Sequence, residues 1–235
     1  MNHARVGRCA VAAMAKAPRQ GEVKTRLVPP LSSAEAAALG AAFIEDIAAH
    51  ILAAAQAAPI EGYIAYSPPG SAAAFAALVP ASIGLLPPRR IGLGASLADA
   101  AADLLAMGYG MVCLVNADSP TLPTALLVEA AQRLAAPGDR VVLGPAIDGG
   151  YYLIGLKQPH LRLFEEIAWS TALVFRQTVE RAAELGLATV TLPAWYDVDD
   201  VASLRQLAHD LDGAGHAGYP APHTAAVLRR LAGRL

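Results

Sequence analysis

The stretch Met111-Val-Cys-Leu-Val-Asn-Ala-Asp-Ser-Pro-Thr-Leu-Pro123 decides the fold class of this chain. Its first five residues are all apolar, which is typical of a strand buried on both faces of a parallel sheet. The apolar run ends at Asn116 and Asp118, and open α/β sheets place their ligands at the carboxyl ends of such strands. Asp118 is therefore a candidate ligand-site residue, or alternatively only the cap of the helix predicted to follow.

The composition indicates one large α/β domain that spans residues 1–235. Of the 235 residues, 55% are hydrophobic and 16% are charged, which is enough apolar material for a substantial core. The net charge of −2 gives no indication of nucleic-acid or anionic-membrane binding. No apolar run reaches the ~18 residues of a membrane span, and no signal-type cleavage pattern follows Arg5 and Arg8. Cys9 and Cys113 form neither a disulfide framework nor a zinc site. We expect a cytoplasmic protein.

The predicted strands and helices alternate along the chain. Strands are expected at 8–15, 62–67, 83–86, 111–115, 141–145, after the turn at 148–150 up to 155, and at 187–192. Helices are expected at 32–58, 71–78, 92–107, from 121 or 123 to 136, 170–185, 201–210 and 224–234. Ser32 and Glu35 form a capping-box signature, and Ser96 is a possible N-cap of the third helix. Residues 213–235 form a tail with a short helix.

A cationic loop follows the first predicted strand. It runs from Lys16 to Leu27 and contains Arg19, Lys24, Arg26 and the hydroxyl of Thr25. Cations at a strand end suit nucleotide phosphates, whose charge they offset. The glycine spacing matches neither a Walker A loop nor a dinucleotide fingerprint, so a solvated basic loop is the alternative.

Acidic residues follow the last predicted strand. Asp197 and Asp199 alternate at extended spacing, so both side chains can point to the same side. Together with Asp118 they offer the hard oxygen ligands that Mg²⁺ or Mn²⁺ prefers. Asp199 or Asp200 is equally suited to cap the helix at 201–210. The turn Asp148-Gly149-Gly150 has either a purely structural role, or its two glycines allow a substrate to lie against the backbone.

Four stretches taken together resemble a bacterial family of GT-A-fold glycosyltransferase-like proteins, often named for arsenosugar biosynthesis. The stretches are Lys16-Ala-Pro…Gly21…Val-Lys-Thr-Arg-Leu27, Ala117-Asp-Ser-Pro120, Gly144-Pro-Ala…Asp148-Gly-Gly-Tyr-Tyr-Leu153 and Tyr196-Asp-Val-Asp199. The same layout is similar to phosphoenolpyruvate or phospholactate guanylyltransferases and to molybdenum-cofactor guanylyltransferases. The resemblance implies a nucleotide-diphospho-sugar transferase fold, a three-layer α/β sandwich with a mixed, mainly parallel sheet.

The resemblance also implies roles for named residues. Asp118 would bind a catalytic Mg²⁺ or Mn²⁺, and Asp197 and Asp199 would complete the metal site. Lys24 would join Asp118 and Asp199 as a catalytic residue. The expected nucleotide-binding residues are Ala15, Lys16, Lys24, Thr25, Arg26, Gly94 and Asn116. The expected acceptor-binding residues are Asp148, Gly149, Gly150, Tyr151 and Trp169.

Three functions follow as hypotheses. The first is transfer of a sugar from a nucleotide-diphosphate sugar to a small acceptor, and the second is nucleotidyl transfer from a nucleoside triphosphate to a phosphorylated acceptor. The third is nucleotide binding without turnover, because Leu93-Gly-Ala-Ser-Leu97 stands where the family usually has Leu-Gly-Glu-Arg-Leu. We expect no nucleic-acid or membrane partner, and a homodimer is possible.

Overall fold

The computed structural model describes residues 5–212 and 220–231. The strands are β1 (Cys9–Lys16), β2 (Ile60–Ser67), β3 (Gly84–Leu86), β4 (Met111–Asn116), β5 (Arg140–Pro145), β6 (Tyr151–Leu156) and β7 (Ala188–Thr191). The helices are α1 (Ser33–Ala57), α2 (Ala72–Ala76), α3 (Leu93–Ala106), α4 (Thr124–Ala135), α5 (Val174–Glu184), α6 (Val201–Leu211) and α7 (Pro222–Leu231). Short 3₁₀ turns lie at Thr25–Leu27 and Leu161–Phe164.

The strands form one sheet in the order β3-β2-β1-β4-β6-β5-β7. β6 runs antiparallel to β4 and β5, and every other pairing in the sheet is parallel. From β1 the chain first builds outward through β2 and β3, and then returns to the other side of β1 with β4. The order of the strands therefore reverses between β1 and β4, and open α/β sheets bind ligands outside the carboxyl ends of the strands at such a point.

Helices cover both faces of the sheet because its central strands are apolar on both sides. In β1, Cys9, Val11 and Ala13 pack toward α1 and α4, whereas Ala10 and Ala12 pack toward α3. The residues of β1 alternate between the two layers because successive side chains of a strand point to opposite faces. The predicted three-layer α/β sandwich with a mixed, mainly parallel sheet is confirmed.

Helix α1 lies across one face of the sheet. Its start follows the predicted capping box, in which the Ser32 side chain accepts from the backbone of Glu35 and the Glu35 carboxylate accepts from the backbone of Ser32. By length and composition this helix could cross a membrane, but 67% of its apolar window is buried within the protein. The apolar surface of α1 therefore serves the core, where it packs on β2, α4 and α7.

A separate hydrophobic cluster forms along the first half of α1. We call it the satellite core, and it consists of Leu27, Leu31, Ala36, Leu39, Phe43, Tyr196, Val198, Leu204, Leu207, Leu228 and Leu231. It joins the loop after β1, the segment before α6, and both C-terminal helices. Burial of these side chains fixes two distant pieces of chain, residues 24–27 and 196–199, next to each other.

Several helix starts differ from their predictions. The N-cap of α3 is Gly92, while Ser96 lies inside the helix and donates to the carbonyl of Arg90 at 3.3 Å. α4 has Pro123 at its N-cap and no side-chain cap, so the interpretation of Asp118 as a helix cap is wrong. By contrast, Asp200 caps α6 as predicted, through a reciprocal pair of bonds with Ser203.

The remaining boundaries agree with the sequence to within about four residues. α5 begins at Val174 rather than near residue 170, because Ser170 adopts a left-handed backbone with φ 63°. α7 covers Pro222–Leu231, and the rest of the predicted tail, 213–219 and 232–235, lies outside the described residues.

Candidate active site

The side chain of Lys24 connects the two strand ends that flank the reversal of strand order. Its Nζ lies 2.5 Å from Oδ1 of Asp118 and 3.1 Å from Oδ1 of Asp199, and it donates to the carbonyl of Val198 at 2.7 Å. Only 7% of the Lys24 side chain is exposed. The ammonium thus offsets the charge of two carboxylates that come from segments 81 residues apart, after β4 and before α6.

The backbone at Lys24 explains how its side chain reaches this position. Lys24 adopts a left-handed conformation, with φ 50° and ψ 35°, directly before the 3₁₀ turn at Thr25–Leu27. Such a backbone is uncommon for a residue other than glycine, and its cost is met by the contacts that surround it. Here these contacts are the buried side chain of Leu27 in the satellite core and the three bonds of the ammonium. The Lys24 Nζ also lies 5.2 Å from the centre of the Phe43 ring.

The loop that carries Asp118 is fixed by bonds from both sides. The backbone N–H of Val198 donates to the carbonyl of Asp118 at 2.9 Å, and the Ser119 hydroxyl donates to the carbonyl of Tyr196 at 2.9 Å. From α1, Nε2 of His50 donates to the carbonyl of Pro120 at 3.0 Å. These bonds hold the backbone of residues 118–120 in place, independently of the Asp118 carboxylate.

Two pockets meet at the Lys24 ion pairs. The first, which we call the loop pocket, has a volume of about 290 Å³ and is lined by Lys16, Lys24, Thr25 and Arg26. The second, which we call the edge pocket, has a volume of about 350 Å³ and lies along the start of β6 and the segment before α5. Four residues line both pockets: Met14, Arg26, Asp118 and Asp199. This layout gives space for two molecules that share one boundary.

The pockets differ in charge. Lys16, Lys24 and Arg26 line the loop pocket together with the three acidic side chains Glu22, Asp118 and Asp199. Among the described residues, the edge pocket is lined by four aspartates and one cation, which are Asp118, Asp148, Asp197, Asp199 and Arg26. Burial, and then repulsion from Asp148, Asp199 and Asp118, raises the pKa of Asp197 to about 6. The cations therefore concentrate in the loop pocket, and excess negative charge concentrates in the edge pocket.

The carboxylates suit a divalent cation by their chemistry. Asp118, Asp197 and Asp199 are hard oxygen donors that face one pocket, and such donors bind Mg²⁺ or Mn²⁺. Within residues 5–212 and 220–231, however, no group of three or more His, Cys, Asp or Glu side chains is arranged to hold a metal ion. The Lys24 ammonium instead lies against Asp118 and Asp199, as a stand-in for a cation. The donor set thus fits a metal, provided that Lys24 moves.

The structure places the predicted nucleotide-binding residues in three different environments. Lys16, Lys24, Thr25 and Arg26 line the loop pocket. Asn116 lines the edge pocket instead, and its Oδ1 is buried without a hydrogen-bond partner among the described residues. Ala15 lies in the core beneath α1. At Gly94, an added Cβ would lie 2.5 Å from Nε1 of Trp169, so this glycine makes room for an indole.

Most of the predicted acceptor-binding residues line the edge pocket. They are Asp148, Gly150, Tyr151 and Trp169. The Asp148 carboxylate accepts from the backbone N–H of Gly150 at 2.8 Å. Gly149 has φ +92°, and a Cβ there would lie 2.5 Å from the carbonyl oxygen of Ala172. The space beside Gly149 is therefore filled by the protein and not left open for a substrate.

Three further residues of the site were missed by sequence reasoning. The carbonyl of Val198 binds Lys24, and no sequence pattern marks a backbone group for this role. Leu93 and Leu97 line the edge pocket from α3. Their spacing of four residues, which places both on one side of a helix, is the signal that could have found them.

Comparison with known proteins places the chain in a family. A family model described as "Uncharacterized protein conserved in bacteria (DUF2064)" matches residues 50–171. The chain belongs to this family. The part matched by the DUF2064 model contains Asp118, Asp148 and Trp169, whereas Lys24 and Asp199 lie outside it. No curated protein sequence matches the chain.

Solved structures share the fold of this DUF2064 protein. A protein from Desulfovibrio desulfuricans G20, provisionally described as a nucleotide-diphospho-sugar transferase, is 28% identical with a TM-score of 0.82 over 94% of both chains. A cytidylyltransferase from Leptospira borgpetersenii is 9% identical, with a TM-score of 0.57 over 95% of this chain and 94% of the other. A 4-diphosphocytidyl-2C-methyl-D-erythritol synthase is 10% identical, with a TM-score of 0.54 over 85% and 96%. The last two likenesses show the fold alone.

Proposed function

We propose that this protein is a metal-dependent glycosyltransferase that moves a sugar from a nucleotide-diphosphate sugar to a small acceptor. The observation that carries the proposal is the junction of two pockets at Asp118, Lys24 and Asp199, one pocket rich in cations and the other rich in carboxylates. The similarity to a protein described as a nucleotide-diphospho-sugar transferase supports the same class of donor.

The loop pocket is the proposed site of the donor diphosphate. Lys16 and Arg26 line it and are placed to bind phosphate oxygens, and the Thr25 hydroxyl offers a further hydrogen bond. The Arg26 side chain is 72% exposed and pairs with Asp199 at 2.9 Å. An exposed ion pair of this kind is weak, so Arg26 can exchange its carboxylate partner for a phosphate at little cost.

In the proposed reaction, the donor in the loop pocket and the acceptor in the edge pocket meet at the boundary between the two pockets. An acceptor hydroxyl oxygen forms a bond to the anomeric carbon of the donor sugar, and the bond from that carbon to the diphosphate oxygen breaks. The bonding electrons leave with the nucleoside diphosphate. The Asp148 carboxylate, which accepts a hydrogen bond from the backbone N–H of Gly150 in its own turn, is the proposed base that takes up the hydroxyl proton. A divalent cation held by Asp118, Asp197 and Asp199 would offset charge on the leaving phosphate oxygens.

Nucleotidyl transfer is the second candidate, favoured by the three cations of the loop pocket, which suit a triphosphate. Product analysis separates the two functions: glycosyl transfer releases a nucleoside diphosphate, and nucleotidyl transfer releases pyrophosphate. We expect nucleoside diphosphate in amounts equal to the glycoside formed, and none from Asp118→Asn protein. Asp212→Asn, at the C-cap of α6, is the matched control and should behave as wild type. Pyrophosphate as the product would refute glycosyl transfer, and binding without any product would support a protein that does not turn over.

A further inference from the structure

The edge pocket carries an excess of negative charge that no cation of its own offsets. Its single lining cation, Arg26, already pairs with Asp199, with Nη2 2.9 Å from Oδ2. Asp118 is held by Lys24. Among the residues that the structure describes in this pocket, no basic side chain forms an ion pair with Asp148 or Asp197. A divalent cation held by Asp118, Asp197 and Asp199, as proposed above, would offset part of this charge and leave Asp148 without a cationic partner. A second anion would have to enter beside that carboxylate, and like charges brought together cost several kcal/mol.

Another part of the edge-pocket lining, which we call its aromatic wall, is apolar and aromatic. Trp169 and Tyr151 meet edge to face, with ring centres 6.4 Å apart and planes at 80°. Leu93 and Leu97 extend this wall from α3. Aromatic rings in a pocket bind the apolar face of a ligand, while a few polar groups fix its orientation.

Two buried polar atoms of the lining have no partner within the described part of the chain. They are Oδ1 of Asn116 and the hydroxyl of Tyr151. Buried polar atoms in folded proteins are nearly always hydrogen bonded. Both atoms are closed off from the pocket, whereas the carboxylates of Asp148 and Asp197 belong to its lining and accept hydrogen bonds, so hydroxyl and amino groups of a ligand would donate to them.

We propose that the edge pocket selects a hydroxylated ring compound without phosphate or carboxylate groups, and that an amino group on this compound strengthens binding. This inference rests on the proposed function in taking the edge pocket as the acceptor site. It names the class of acceptor. It excludes the phosphorylated acceptors that nucleotidyl transfer, the second candidate function, would need.

The test uses three probes with one scaffold: glucosamine, glucose and glucose 6-phosphate. The chain has two tryptophans, and Trp195→Phe leaves Trp169 as the single indole reporter in the edge pocket. Phenylalanine keeps an aromatic ring where Trp195 stacks on Tyr196 at 5.9 Å, and circular dichroism checks the fold. Each probe is titrated at constant ionic strength while Trp169 fluorescence is followed.

We expect glucosamine to bind tightest and glucose 6-phosphate weakest, with at least about a tenfold difference between these two because of like-charge repulsion. Asp148→Asn should narrow this ratio, since the amide still accepts from the N–H of Gly150 but carries no charge. Asp212→Asn removes one charge outside both pockets and should leave the ratio unchanged. Equal or tighter binding of the phosphate would overturn the proposal, and so would the absence of a fluorescence change with every probe.

The two proposals can fail separately. If the protein binds no nucleotide but ranks the three probes as expected, the proposed function fails and the charge selection of the edge pocket stands. If a nucleotide sugar binds but glucose 6-phosphate is the best probe, the acceptor class fails and the donor assignment stands.

Discussion

Removal of the Lys24 ammonium tests how the site is held together without a metal ion. In Lys24→Met the side chain keeps its length and loses the charge that contacts Asp118 at 2.5 Å and Asp199 at 3.1 Å. The variant should be less stable than wild type, and its freed carboxylates should bind a divalent cation more tightly. Both effects have the same cause, because in the wild type the ammonium and the metal compete for the same oxygens.

The expected loss of stability follows from burial. Breaking a fully buried ion pair costs about 3–5 kcal/mol, and a hydrogen bond to a charged group contributes about 1.5–3 kcal/mol. Lys24 is buried, but 45% of the Asp118 side chain and 35% of the Asp199 side chain are exposed. Water can therefore solvate the freed carboxylates, and we expect a net loss of about 1–3 kcal/mol. For a chain of this size, each kcal/mol lowers the unfolding midpoint by roughly 2–4 °C.

The assay is thermal unfolding with and without millimolar Mn²⁺. A ligand that binds only the native state raises the midpoint according to its affinity, so Mn²⁺ should stabilise Lys24→Met more than wild type. Lys157→Met is the control, since Lys157 donates to the carbonyls of Ala136 at 2.9 Å and Gly138 at 2.6 Å and contacts no site carboxylate. It should lose stability without gaining a response to Mn²⁺. An equal Mn²⁺ response in wild type and Lys24→Met would refute the competition.

Four further substitutions test the residues that support the site. Burial lowers the pKa of His50 below its ordinary value of 6.5. Its stabilising contribution is therefore fully present at pH values above 6.5 and decreases below that pH, because the unfolded chain takes up the proton first. The free energy of unfolding of His50→Asn, measured against pH, should therefore decrease less on acidification than that of the wild type. Gly94→Ala, with its Cβ 2.5 Å from Trp169, should cost about 1–3 kcal/mol and alter the near-UV circular dichroism, whereas Gly40→Ala, with its nearest contact at 3.6 Å, should gain about 0.5–1 kcal/mol. Asp46 accepts from the first backbone N–H groups of α7, so Asp46→Ala should cost about 0.5–2 kcal/mol and speed amide exchange in α7.

Local patterns in the sequence predicted most of the sheet. The apolar run from Met111 to Val115 forms the strand β4, which ends within one residue of its predicted end. A strand buried on both faces is apolar throughout, so it can be recognised without knowing which strands it pairs with. The antiparallel direction of β6 was not predicted. It depends on how the turn at 148–150 returns the chain along the neighbouring strands, and on pairing such as that of Leu114 with Ile154, which the pattern of one strand does not encode.

The candidate site was predicted as a list of residues rather than as a geometry. The sequence named Lys24, Asp118 and Asp199, and the structure brings them together, but their direct ion pairs depend on the satellite core that positions both segments. Likewise, Gly94 was expected to bind the nucleotide, while its contact with Trp169 joins segments 75 residues apart. Contacts of this kind follow from tertiary packing and leave no local signature.

The most direct test of the nucleotide site is a thermal-shift panel of nucleotide sugars and nucleoside triphosphates, each measured with and without Mn²⁺. We expect a nucleotide sugar to raise the unfolding midpoint of the wild type in the presence of Mn²⁺, and we expect Asp118→Asn to lose this shift. If no nucleotide raises the midpoint, or if Asp118→Asn responds as wild type does, the assignment of a nucleotide-dependent transferase site to the junction of the two pockets is contradicted.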